Sequence, residues 1–146
     1  MAQGSVTCFE EFTKYIGDGS HDLNSDSFKI ALLTTAPTAS DATPDYSDYS
    51  GNEVSGTGYT AAGASATLTW TEAAGTATLA LGSNVTWSQN GAGPTNINYG
   101  LLYNTTHAGT NDAIAFIDMR DGGTTAISLQ DGDVTINSGT IFTLAV

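Results

Sequence analysis

The chain has one cysteine, Cys8, so no internal disulfide can form and cysteine usage reveals no redox compartment. Cations are nearly as scarce. Lys14, Lys29 and Arg120 stand against fifteen carboxylates, for a formal net charge of −12. A nucleic-acid binder neutralises several phosphates with Lys or Arg, so no DNA or RNA partner is expected. Anionic membrane surfaces are disfavoured for the same reason. No apolar run reaches the about 20 residues of a membrane-spanning helix. No basic start followed by an apolar block marks a signal peptide. His21 and His107 are the only histidines. Gly-x-Ser-x-Gly, His-Glu-x-x-His and phosphate-cradling glycine loops are all missing. Gly56-Thr57-Gly58-Tyr59 has neither a following lysine nor a helix, and reads as a turn. The expectation is a protein that is not an enzyme, with no catalytic residue, no cofactor and no metal.

Charged residues of either sign make up only 12% of the chain. The surface must therefore be built largely from Thr, Ser, Asn, Gly and Ala, with the acids keeping copies apart in solution. A chain of 146 residues suits one domain. A domain of this size buries about two-thirds of its unfolded surface and needs no staple.

The pattern that is present is mostly that of strands. In HDLNSDSFKIALLTTAP, residues 21–37, a polar turn at Asp22–Asp26 leads into a two-residue alternation from Phe28 through Ile30 and Leu32 to Thr34. Pro37 ends it, because proline cannot donate to a sheet ladder. Further strands are expected at Ser65–Trp70, Thr76–Leu81, Asn84–Ser88, Asn96–Tyr103, Ala113–Met119, Thr124–Leu129, Val134–Ile136 and Thr140–Val146, separated by turn signals such as Asn104–Asn111. The inward sets are Leu79 and Leu81, Val85 and Trp87, Tyr99, Leu101 and Tyr103, and Ile127 and Leu129. This is the pattern of an all-β fold, an antiparallel β-sandwich of which the jelly roll is one form.

Ahead of it, Val6–Ile16 spaces Phe9, Phe12 and Ile16 as one face of a short helix, closed by Gly17-Asp18-Gly19. A helix this short needs something to dock on. It can dock on its own β body or, as an arm, on a neighbouring subunit. The division expected is residues 1–20 as an N-terminal helical arm and 21–146 as the sandwich, with Phe9, Phe12 and Ile16 as partner-binding anchors. Ser40–Gly58 reads as a long loop without periodicity. Loops of that length are unusual in compact domains and are usually functional or disordered, and Tyr46 and Tyr49 are its candidate partner-binding residues.

Several chemistries are weaker than their structural alternatives. Asp22–Asp26 begins like a calcium-binding loop, but position six is Ser27 and position twelve is Leu33, so a turn into the strand is expected. Asp131 and Asp133, with Asp118 and Asp121 nearby, are expected to be turn residues rather than cation ligands. Cys8 is expected as a buried thiol on the apolar side of the short helix. Trp70, Trp87, Tyr99 and Tyr103 could stack on sugars, yet their strand spacing favours core packing. Asn84 and Asn104 each begin a glycosylation sequon.

Taken together, residues 21–37, EVSGTGYTAAG at 53–63, NYGLLYNTT and DAIAFIDMRDGG within 98–123, and the closing GDVTINSGTIFTLAV resemble a family of small virion proteins of tailed bacteriophages, the capsid decoration or cement proteins. The resemblance covers about His21 to Val146. It implies a structural protein on the outer capsid surface, a homotrimer bound to the major capsid protein, that bridges neighbouring capsomers. The alternatives are a tail-tube or head–tail connector subunit, and a carbohydrate- or receptor-binding β module.

Overall fold

Val6–Cys8 is a strand, not the first turn of a helix. In the computed structural model, which describes residues 4–106 and 111–145, this strand, β1, runs antiparallel to a strand at Ala113–Asp118, with Val6 opposite Ile117 and Cys8 opposite Ala115. The helix α1 begins only at Phe12 and ends at Asp18, with Gly19 as a left-handed cap. Residues 1–20 are therefore not a separate arm over their described part, because β1 is hydrogen-bonded into the main sheet.

The other elements follow in chain order: β2 (Phe28–Leu33), α2 (Tyr46–Tyr49) with a 3₁₀ turn at Ser50–Asn52, β3 (Ala64–Ala66), β4 (Leu68–Ala73), β5 (Thr76–Leu81), β6 (Val85–Trp87), β7 (Tyr99–Asn104), β8 (Ala113–Asp118), β9 (Val134–Ile136) and β10 (Gly139–Ala145). One sheet has five strands in the order β1-β8-β7-β2-β3, all antiparallel. A three-stranded sheet, β10-β5-β4, and a two-stranded ribbon, β6-β9, form the layer facing it. The fold is an all-β antiparallel sandwich. Its division into five, three and two strands differs from the double sheet of a jelly roll.

Both faces of the five-stranded sheet are buried. Phe28, Ile30 and Leu32 of β2 point into the core between the layers, beside Leu79, Leu81, Val85, Trp87, Val134 and Ile136. Ala31 and Leu33 point the other way, into a second core with Phe9, Tyr49, Leu101 and Tyr103. The near-continuous apolar run FKIALL has this cause: a strand covered on both sides has no solvent face to mark. The expected inward sets are buried except Tyr99, which is half-buried, but they divide between the two cores.

Two expected strands differ. Ser65–Trp70 is split at Thr67, where the chain crosses from the five-stranded to the three-stranded sheet and the Thr67 carbonyl accepts from Gly82 N at 2.8 Å. Thr124–Leu129 is irregular, fixed by isolated pairings of Ile127 with Ile97 and of Thr125 with Asp121. The Asn104–Asn111 turn lies partly outside the described residues, as do His107 and Val146.

Candidate functional site

The segment read as a long loop is a folded cover for the second core. Asp45 caps α2 by accepting from Ser47 N and Asp48 N, while the Asp48 side chain accepts from Asp45 N. That fixes Tyr46 and Tyr49 over the sheet. The Tyr46 ring stacks on Tyr103 at 4.7 Å between centroids. Its hydroxyl donates to Glu53 Oε2 at 2.6 Å. Tyr49 is buried, with its ring 5.8 Å from Phe9 and its hydroxyl donating to Asp41 at 2.7 Å.

Glu53 is the centre of this cover. Its Oε1 accepts from the Tyr59 hydroxyl and from Ala62 N. The Tyr59 oxygen in turn accepts from Leu32 N, in the core strand, at 3.0 Å. Tyr103 completes the ring of contacts by donating to the Ala62 carbonyl at 2.6 Å. Burial first, and the Glu53 carboxylate second, push the Tyr46 hydroxyl up to about 12. Tyr59, Tyr49 and Tyr103 shift the same way, burial again being the largest cause. Phenols held protonated around a fully bonded carboxylate lock a structure; they neither give nor take protons near neutrality. Gly63, at φ 74°, closes the segment where any Cβ would overlap the Ile30 carbonyl.

The expected anchors are thus turned inward. Phe9 and Phe12 are 1% and 0% exposed, and pack in the chain's own cores. As partner contacts they are corrected, together with Tyr49, because each is fully engaged by its own chain. Tyr46 and Ile16 keep part of their surface, Tyr46 with its ring and hydroxyl already committed and Ile16 packed at the rim of the main core. Cys8 sits on β1 rather than on a helix. It is half-buried, its Sγ donates to the Ile141 carbonyl at 3.7 Å, and burial pushes its thiol up to about 11.

Several other polar groups are held in turns and pairs. Asp22 accepts from Asn24 N and the Ser25 hydroxyl, as expected of a turn. Asn104 is fully buried, donating to Asp26 at 2.6 Å beside His21, so its sequon is inaccessible in the fold. Asp133 accepts from Gln89 N, and Asp118 pairs with Arg120 at 2.7 Å. Trp87 is buried and Trp70 half-buried against the main core. Among the described residues no group of three or more His, Cys, Asp or Glu could hold a metal ion, and no helix is long and apolar enough to cross a membrane. A cleft of about 330 Å³ opens between β1 and the β9–β10 link, apolar inside and rimmed by Asn137, Ser138 and Thr140.

What remains open is a surface. Register across β4, β5 and β10 aligns Thr69 with Ala80 and Thr140, Thr71 with Thr78 and Thr143, and Ala73 with Thr76 and Ala145. These rows form the face turned away from the core, since Trp70, Leu79 and Phe142 fill the inner one. The rows carry no charged side chain, in a chain of net charge −12. The sheet also runs past the core at its far end, where Glu72, Ala73, Leu144 and Ala145 are exposed, Leu144 at 49%. Strands were expected from sequence near all three of these positions; the pairing of β10 with β5, which brings the rows together into one face, was not. Comparison with protein-family models, curated proteins and solved structures finds no match to this chain.

Proposed function

We propose that this chain is a structural virion protein that decorates and stabilises a phage capsid, bridging neighbouring capsomers on the outer surface as a homotrimer bound to the major capsid protein. The observation that carries the reading is the uncharged threonine–alanine face of the β10-β5-β4 sheet. Copies that each carry −12 repel one another. They can stand side by side on a shell only where contact brings no carboxylates together, and this face meets that condition.

Strand spacing gives the face roughly 300 Å², well under the about 800 Å² per partner of a standard stable interface. Single contacts of that size are weak. Many copies on a repeating lattice make them count through multivalency. Two of the three cations are spent on internal pairs, Lys14 with Glu11 and Arg120 with Asp118, which leaves little to hold packaged DNA.

Co-sedimentation with expanded shells and with isolated tails tests the reading, together with light scattering and location of the subunit in an image of the particle. Trimers on shells are expected, and no mobility shift of duplex DNA at physiological salt. Attachment to tails alone favours the tail-tube or connector alternative. Micromolar DNA binding with a steep salt dependence contradicts an outer-surface role.

A further inference from the structure

Antiparallel sheets end in edges, and proteins blunt them with short strands, bulges, lysine or proline. Here β1 and β3 are three residues long, and β10 is bulged between Thr140 and Phe142. β4 is six residues long, without bulge, proline or lysine, and its one charge, Glu72, stands near its end, leaving Leu68 to Thr71 uncharged. Thr67 directs its carbonyl at Gly82, on the β5 side. The closing turn, Ala74-Gly75, has both residues at positive φ, as in a two-residue hairpin whose flanking pair is hydrogen-bonded. Both observations set the same phase: the odd-numbered residues of β4 bond to β5, and Leu68, Trp70 and Glu72 aim their N–H and C=O groups outward.

Beside that edge runs a trough. One part, about 400 Å³, lies between Trp70 and Ile16, Asp22 and Leu23. The next, about 290 Å³, shares Leu23 and continues along Leu68 to Phe28. No Lys or Arg lines the trough, whereas Asp22 and Asp26 do, and Glu72 stands at the end of the strand.

We propose that the β4 edge is a strand-addition site for an extended, lysine- or arginine-bearing segment of a partner protein. Main-chain bonds to Leu68, Trp70 and Glu72 supply the register, and alternate side chains enter the trough. A second copy of this chain is a poor occupant. Its only cation on a strand is Lys29, in β2, which is paired on both sides by β3 and β7. The inference rests on the capsid reading only for the identity of the partner as a shell subunit.

The test uses the full chain and two capped ten-residue peptides, one alternating Val and Lys, the other Val and Glu. Binding of the lysine peptide is expected to slow amide exchange at Leu68, Trp70 and Glu72, with no such effect from the glutamate peptide. Glu72→Pro removes an outward N–H, which an edge strand tolerates. Relative to Glu72→Ala it should keep its melting temperature and lose roughly tenfold or more in peptide affinity. Equal binding of both peptides, protection at other amides, or a wild-type dimer that Glu72→Pro dissolves would each overturn the proposal. Peptide capture without shell attachment upholds the edge site and sinks the capsid reading, so the two fail separately.

Discussion

Phe9 and Phe12, three residues apart, pack on opposite sides of the five-stranded sheet. Phe9 lies 5.5 Å from Phe116 and joins the core beneath α2. Phe12 lies 5.3 Å edge-on from Phe142, in the core between the layers. The chain passes round the end of the sheet between them, with Phe9 N donating to the Ile114 carbonyl. The N-terminal segment therefore clasps the sheet and joins the two cores.

That geometry sets the first prediction. A buried Phe→Ala substitution costs about 3–5 kcal/mol, and a domain has only about 5–15 in total. Phe9→Ala and Phe12→Ala should each lower the melting temperature sharply. Because they empty different cores, their effects should add, leaving the double variant largely unfolded by circular dichroism. A double variant that melts like wild type would show that neither ring holds the clasp.

Much of the fold was legible and some was not, for identifiable reasons. The β2 strand announced itself because Asp22–Asp26 and Pro37 bracket an apolar run, and β5, β6 and β9 alternate cleanly. Val6–Cys8 did not, because its partner β8 lies more than a hundred residues on and the spacing of Phe9, Phe12 and Ile16 also fits a helix. Glu53 was one acid among four in a segment without period. Its role depends on Tyr46, Tyr59 and Ala62 converging on it, a relation of place rather than of pattern.

The tyrosine lock predicts alkaline sensitivity. An unfolded tyrosine loses its proton near pH 10, whereas Tyr46 holds its own to about 12, and burial raises Cys8 from 9.0 to about 11. Between those limits the folded state binds more protons than the unfolded one, so stability falls as pH rises. The urea midpoint should hold steady from neutrality to about pH 9 and then decline continuously toward pH 12. In Glu53→Gln the decline should be shallower, because the carboxylate is the second cause of the Tyr46 and Tyr59 shifts. A midpoint independent of pH up to 12 would contradict the lock.

Two glycines should respond oppositely to alanine. Gly63 combines φ 74° with a backbone carbonyl in the place of its Cβ. Gly63→Ala should lose well over about 1 kcal/mol, since strain and overlap act together. Gly17 sits in α1 with nothing within 4 Å of the added methyl. There alanine should gain about 0.4–1 kcal/mol through helix propensity and a less disordered unfolded chain. Denaturant midpoints of the two variants decide it, and matching shifts would mean the Gly63 segment relaxes freely.

The last prediction separates the proposed contact face from the fold beneath it. Thr143 is exposed on β10, in the middle row of the uncharged face. Thr124 is also exposed, in the turn between Asp121 and Thr125, outside the rows of that face. Glutamate at either position should change stability by no more than about 0.5 kcal/mol, as surface substitutions do. Only Thr143→Glu places a carboxylate where copies of net charge −12 are proposed to meet. Like charges facing each other across a contact cost several kcal/mol. A weak interface of roughly 300 Å² cannot absorb that. Thr143→Glu should therefore melt like wild type and fail to attach to shells or form trimers, while Thr124→Glu attaches normally. Equal shell occupancy for the two variants would remove the threonine face from the interface, and with it the observation on which the capsid reading stands.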